Sequence, residues 1–345
     1  MKIHFFLILS FAINIVSGST PFDFSLSYHG GYDSNVMRLS EPEIENASLN
    51  KSVMGSANTL DSYINKVNIR LNKNLFQNGK KELMLSTSYS FSSYAHNPNK
   101  DYWSGNTVLT YKWGSYKNIK YSNQHLNSYY LRHYIDRDIS KDNLSPCSFN
   151  DRNQLASLTL PIRKRVWYTI GAGFLQRYYD NPFTEFDLDI NYYRLRLNTR
   201  IKKVGTVGFQ FDRYFADNIT YQRTAKASEF DRSYESLEWY VPIKFDRLFS
   251  YLNHFGFSMR QELRSYNAES LDDPLHAGRN HKDLKFDLWV SKSISESIAI
   301  TLTMRYRTRN TESAYDWVEE LKSFKQIRSV FRISDSIFEI FCNHG

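Results

Sequence analysis

The sequence predicts an all-β fold: a transmembrane antiparallel up-and-down β-barrel of about fourteen strands, with twelve and sixteen as the rough bounds for an even-numbered barrel. Three observations carry this. Apolar and polar residues alternate with period two along most of the chain, which puts successive side chains on opposite faces of a strand. The links between alternating segments run short, long, short, long, as periplasmic turns and external loops do. Beyond the N-terminus no apolar run reaches the ~18 to 20 residues of a membrane helix, yet 16 % of the 345 residues are aromatic, with 25 Tyr and 24 Phe.

The N-terminus predicts export. Met1-Lys2 is basic, residues 3–16 are apolar apart from His4, Ser10 and Asn14, and Ser17-Gly18-Ser19 supplies small residues for cleavage. This is the layout of a secretory signal peptide over residues 1–19, too short to stay in a bilayer. No Cys stands at the cleavage point, which argues against a lipid anchor. Residues 20–345 then form one barrel domain, with no linker or break in composition.

The strands follow in order. Phe22, Phe24, Leu26 and Tyr28 alternate with Asp23, Ser25, Ser27 and His29. Val67, Ile69 and Leu71 alternate with polar residues, and Leu83, Leu85, Tyr89 and Phe91 oppose the serine row Ser86, Ser88, Ser90 and Ser92. Leu109, Tyr111 and Trp113 come next, then residues 117–135, whose faces are mixed, then Val166, Tyr168, Ile170 and Phe174. Leu188 and Ile190 alternate with Asp187 and Asp189, whereas Leu195 and Leu197 alternate with Arg194 and Arg196. The change of parity at Tyr192-Tyr193 reads as a β-bulge. Val207, Phe209 and Phe211 follow, and then Leu237, Trp239, Val241 and Ile243 opposite Glu238 and Tyr240. Phe255, Phe257 and Met259, then Leu284, Phe286 and Leu288, then Ile300, Leu302, Met304 and Tyr306, and finally Ile327, Phe331 and Ile333 complete the ring.

Short links fall at 77–80, 114–115, 163–165, 202–205, 246–247 and 293–296; long ones fall at 33–59, 95–101, 136–151, 216–232, 267–281 and 310–321. A first strand rising from the periplasm puts every long link outside. Aromatics near strand ends, among them Tyr28, Tyr32, Tyr102, Trp103, Trp113, Tyr116, Trp167, Tyr178, Tyr179, Tyr214, Phe215, Tyr266 and Tyr306, predict interfacial girdles.

The formal charge of +8 is spread singly over alternating segments, with no basic helix or RNA-binding motif, so nucleic acid is not an expected partner. Cys147 and Cys342 belong to no metal-spaced cluster. With Cys147 in an external loop and Cys342 on the periplasmic side, no disulfide is expected.

Gly30-Gly31-Tyr32-Asp33-Ser34-Asn35-Val36-Met37-Arg38 ends the first strand. Asp33 and Asn35 suit a strand-ending turn, because their side chains bond local backbone. The segment resembles the opening of the outer-membrane barrels grouped as β-barrel porin 2, which begin with Gly-Tyr-Asp-x-Asn-Val/Ile-x-Arg after a short strand. That resemblance implies a barrel and an export context, and transfers no catalytic residue. Gly31, Tyr32, Asp33 and Asn35 are its candidate structural residues. Loop oxygens here, with Glu41, Glu43 and Glu45 beyond, suit calcium, but lack regular ligand spacing, so no metal is expected.

On the polar rows stand Arg70, Arg194, Arg196, Arg260, Arg264, Arg305 and Arg307, with Asp187, Asp189, Glu238, Glu262 and Asp287. They read as pore-lining residues. Opposite charges on adjacent strands form a ladder that stiffens the wall; arginine rings also favour anions. Lys285 and Asp287 are too few to neutralise Arg260, Arg264, Arg305 and Arg307, which predicts positive potential near the outer mouth. The leading expectation is a pore or export channel for polar or anionic solutes, a surface polysaccharide among the candidates. A translocation or assembly barrel for surface proteins, working with periplasmic partners, is the second reading, and an outer-membrane hydrolase the third. His276 and His281 share a loop with Asp272 and Asp273, but no Gly-x-Ser-x-Gly or HExxH motif accompanies them, so no enzyme is expected. Outer-membrane lipids are the expected surroundings. No cofactor is implied, and the oligomeric state stays open.

Overall fold

In the computed structural model, the described residues are 22–49, 54, 57, 59–136, 138–139, 144–222, 230–246, 251–270, 272–295, 298–335 and 339–340. The expected signal peptide and Cys342 lie outside them. Fourteen strands form the wall: β1 (Phe22–Asp33), β2 (Ser62–Asn78), β3 (Lys81–Tyr94), β4 (Tyr102–Gly114), β5 (Lys117–Ile135), β6 (Leu144–Arg163), β7 (Val166–Tyr179), β8 (Leu188–Ile201), β9 (Gly205–Asn218), β10 (Tyr234–Asp246), β11 (His254–Tyr266), β12 (Asn280–Ser293), β13 (Ile298–Glu312) and β14 (Phe324–Asp335). Each pairs antiparallel with its neighbour in sequence, and β14 pairs with β1, with Tyr28 opposite Ile333 and Gly31 opposite Val330. A two-residue strand β15 (Glu339–Ile340) adds to the start of β1. Two helices, α1 (Glu41–Leu49) and α2 (Asp316–Lys322), lie in the first and last long links. Closure leaves no unpaired edge, the condition for a sheet to cross hydrocarbon. The turns at the bottom are tight. In Asn78-Gly79 the glycine has φ +58°, the left-handed conformation a two-residue hairpin favours.

Over the middle of the barrel the apolar row faces out. On β13, Leu302 is 54 % and Met304 56 % exposed, while the alternating Arg307 is 7 % exposed. Exposed Val67, Ile69, Leu71, Phe91, Leu109, Ile170, Leu195, Leu197, Phe209 and Leu288 continue the belt around the wall. A large exposed apolar surface on a closed barrel, with polar residues inside, is the surface of a protein solvated by lipid. The chain is an outer-membrane β-barrel.

The strands rise past that belt. β5 has 19 residues and β6 has 20, against ~9 to 11 needed to cross. In this outer collar the polarity reverses. The expected bulge at Tyr192-Tyr193 is absent: β8 pairs without a register shift with β7 and with β9. Parity is constant, so Leu188, Ile190 and Tyr192 face inward with Arg194 and Arg196, and all three are buried. Asp187 and Asp189 therefore belong to the outward face and do not line the lumen as expected. The environment changes along the strand, and the backbone does not. Above the bilayer water is outside and packed protein is inside, so apolar residues turn in. The register shifts lie elsewhere, including two in β5 between Leu126 and Arg132.

The same reversal divides the aromatic residues expected at the interfaces. Tyr28 packs against Phe331 and Tyr89 stacks on Trp103 on the outside, and Tyr116 stacks on Trp167 at the bottom. Tyr102, Tyr179, Tyr214 and Tyr266 instead face inward in the collar. They pack respectively against Tyr129, Phe186, Tyr192 and Tyr234.

Cys147 is on β6, not in a loop; it is buried and opposite Arg132 at the outer end. Ile340 pairs with Phe22, at the opposite end of the barrel. A hydrocarbon band of ~25 Å lies between the two ends, while bridged Cα atoms stand within ~7 Å. Non-reducing peptide mapping is expected to recover the Cys147 and Cys342 peptides unlinked; a linked pair would overturn the topology.

Candidate functional site

The first external link folds back over the mouth, and the Gly31–Asn35 segment is its anchor. Gly31 faces inward against β14, where a Cβ would come 2.5 Å from the Ser329 carbonyl oxygen. Tyr32 donates to Asp61 at 2.8 Å. One Asp33 carboxylate oxygen accepts the Asn35 backbone N–H at 3.1 Å, the strand-ending turn expected; both oxygens also accept Gln326 Nε2, at 2.8 and 2.9 Å. The Asn35 amide clasps Leu39 from both sides, accepting its N–H and donating to its carbonyl at 2.8 Å each. With the chain so turned, Val36, Met37 and Leu39 pack on inward-facing Ile64 and Tyr94 and on Tyr130. Ser40 and Glu43 then close a reciprocal cap on α1, and Glu43 binds Arg132 on β5 at 2.8 Å. The oxygens weighed for calcium are thus engaged: Asp33, Asn35 and Glu43 as described, and Glu41 with Lys325 at 3.0 Å.

From the other side α2 reaches in. Val318 is fully buried. Trp317, Leu321 and Lys322 line one cavity together with Glu43 and Arg132, and with Ile135, Leu144, Phe186 and Leu275 from β5, β6 and the links beyond. Lys100 donates to the carbonyls of Tyr130 and Leu131 at 2.7 and 3.3 Å, and its ammonium lies over the Tyr129 ring. Helices and links from both sides therefore meet across the opening as a packed cap. The His276–Asp273 pair, 2.8 Å apart, belongs to it: Asp273 also accepts two backbone N–H bonds through its carbonyl, from His276 and Ala277.

Below the cap the inner wall has three sectors. Along β8–β13 most charges are paired. Arg194 binds Asp212 at 2.8 Å, Arg260 binds Glu238 at 3.3 Å, Arg264 binds Glu262 at 2.6 Å and Arg305 binds Asp287 at 2.6 Å. Arg307 and Arg309 share Asp283 at 2.6 and 2.9 Å, and Arg196 donates to Asn198 at 3.0 Å. The expected shortage of carboxylates beside Arg260, Arg264, Arg305 and Arg307 is thus corrected. Asp212 and Asp283 on the inner rows, not singled out in the sequence, complete the pairing together with Glu238 and Glu262. Asp189 instead accepts Tyr178 outside at 3.0 Å, and Asp187 accepts the Tyr179 N–H at 2.7 Å.

Along β3–β6 the middle inner rungs are neutral, as in the line Ser88, Asn106, Gln124 and Asn153, while lower down Glu82 pairs with Lys112 and Lys120 stands opposite Thr110 and Ser157. Along β14–β1–β2 the rungs are basic. Arg332, His29 and Lys66 form one rung, Arg70 stands opposite Ser25, and Arg328 stands between Asp33 and the ion-paired Arg305. Among the described residues no carboxylate forms an ion pair with Lys66, Arg70, Arg328 or Arg332. Of these four, the sequence reading had singled out only Arg70.

No family model matches the chain, and no curated relative matches it. Solved structures with a similar chain path are outer-membrane barrels at low identity. A loop-deletion mutant of OmpT, an outer membrane protein of Vibrio cholerae, is 8 % identical over 92 % of this chain and 100 % of its own, with a TM-score of 0.47. OprD of Pseudomonas aeruginosa is 8 % identical over 92 % and 96 %, with a TM-score of 0.41. OpdK of the same organism, solved with vanillate, is 9 % identical over 91 % and 98 %, with a TM-score of 0.41. Likenesses this distant carry no functional argument, and the site is read from its own residues.

Proposed function

We propose that this chain is a diffusion channel for small polar solutes, with a preference for anions. The carrying observation is the basic inner stripe of Lys66, Arg70, Arg328 and Arg332, without ion pairs among the described residues; the other walls add Lys120 and Arg196, and their remaining charges are mostly paired. Charge compensated by an adjacent carboxylate adds little to the potential of a lumen; uncompensated charge of one sign attracts counter-ions and repels co-ions. The packed cap favours small solutes over a polysaccharide chain, because a polymer would have to displace α1 and α2 together.

The refolded protein in a planar bilayer under a salt gradient should show a reversal potential of anion-selective sign. The double variant Lys66→Ser/Arg332→Ser should lower the anion-over-cation ratio severalfold, toward one. A conducting wild type with no anion preference at low salt, where screening is weakest, would make the stripe structural and the reading wrong.

A further inference from the structure

We infer that the mouth of the barrel contains a binding site for the acid group of a small organic solute, built from Arg279, His281 and Lys322 against a tyrosine wall. The inference rests on the channel reading only for the route by which a solute arrives.

Between the collar and the cap lies a cavity of about 240 Å³, room for about eight waters at ~30 Å³ each. Cations crowd its lining, and among the described residues no Asp or Glu lines it. Three of its arginines are already satisfied from behind: Arg177 by Asp151 at 2.8 Å, Arg264 by Glu262 at 2.6 Å and Arg309 by Asp283 at 2.9 Å. Arg279 and Lys322 have no such partner among the described residues. Arg279 also lacks the alternative of water at an open surface, being 4 % exposed; Lys322, on α2 in the cap, is half-buried.

Unmet hydrogen-bonding capacity points the same way. The Arg279 Nε–H and both ring nitrogens of His281 are buried without a partner, and His281 is also 4 % exposed. A buried donor left unsatisfied costs ~1 to 3 kcal/mol, and buried polar groups are nearly always paired. Two orphaned donors at one cavity, the Arg279 Nε–H and the single N–H of a neutral His281 ring, make a site waiting for an acceptor. The excess positive charge also acts on Lys322. Burial, with the guanidinium groups of Arg132 and Arg279, pulls its ammonium down to about 7, against Glu43. An anion relieves both the unmet bonds and the repulsion.

The rest of the lining suits a carbon body. The Arg279 guanidinium lies 4.0 Å from the Tyr266 ring centroid, and the His281 ring meets the same tyrosine edge-on. Phe186, Leu188 and Leu275 complete the apolar side. A carboxylate accepts a two-pronged bond from a guanidinium, and its hydrocarbon part would cover these rings.

The test is calorimetric titration of the refolded full chain with cyclohexanecarboxylate, its neutral amide and inorganic phosphate. Expected is saturable one-site binding of the carboxylate, at least about tenfold weaker binding of the amide, and a loss of at least about tenfold in Arg279→Gln and in Lys322→Gln. Retained heat-modifiable migration on gels shows that each variant folds; if Arg279→Gln does not, Lys322→Gln in the cap decides. Equal binding of acid and amide, no saturable binding, or variants that bind like the wild type would each overturn the inference. Phosphate binding as tightly as the carboxylate would overturn the organic body. The measurement needs no conductance, so a barrel that binds but does not conduct would fail as a channel while keeping the site.

Discussion

Asp283→Asn is expected to destabilise the barrel by about 3 to 5 kcal/mol, the cost of removing one member of a buried charge pair. Asp283 is 1 % exposed and, among the described residues, is the only carboxylate ion-paired with three cations: Arg307 and Arg309 at 2.6 and 2.9 Å, and Lys285 at 3.8 Å. The Arg307 side chain is itself 9 % exposed. An amide of the same shape leaves three positive groups around one inner position, with little water to screen them. Urea unfolding of the refolded protein, followed by gel migration, measures the loss. Asp283→Glu keeps the charge and should recover part of the stability. Asp272→Asn, in an exposed position of the neighbouring link, should change nothing measurable. A variant Asp283→Asn as stable as the wild type would show that the ladder contributes no stability.

The second large effect concerns the lipid face. Leu302→Arg or Val241→Arg should each cost ~2 to 4 kcal/mol near the bilayer midplane and lower the folding yield into vesicles accordingly. Leu302 lies opposite Val290 and Phe331, and Val241 opposite Met259, all on outward rows. Thr303→Arg, one residue away but facing the lumen, should be far milder. Ser90 is a poorer inward control, because it is 7 % exposed and bonded to Asn68. Equal yields for Leu302→Arg and Thr303→Arg would contradict either the register or the membrane assignment.

The wall was legible in the sequence because one physical requirement acts on every residue of the belt: lipid outside, water or polar groups inside, with period two. Leu302, Thr303 and Met304 could be assigned to faces from that rule alone. Even the ambiguous stretch of β5 is a strand. The rule misled above the bilayer, where both environments change together. A straight strand then carries Leu188 and Ile190 on the face that holds Arg194 and Arg196 lower down, and parity counting invents a bulge. The cap was illegible for a different reason. Val36, Met37 and Leu39 are apolar residues in a link otherwise rich in Glu and Asn, a signal that the link turns inward. What they pack on, however, comes from β2, β3 and β5 and follows no local period. Pairing in the lumen failed likewise: Arg309 and Asp283 meet across two strands, which requires the register and not merely the strands.

The clasp at Asp33 and Asn35 has a consequence for assembly order. Its partners, Gln326 and the Lys325 carbonyl, stand on the last wall strand, 293 and 290 residues away. They are out of reach until β14 meets β1. Contacts so distant in sequence form late, so while the ring is open the link has its partners on β2, β3 and β5 but lacks the clasp that fixes it to the last strand. Hydrogen exchange should find the Leu39 N–H, held by Asn35, protected only after the seam between β1 and β14 is. The cap is thus locked in place by the same event that seals the wall.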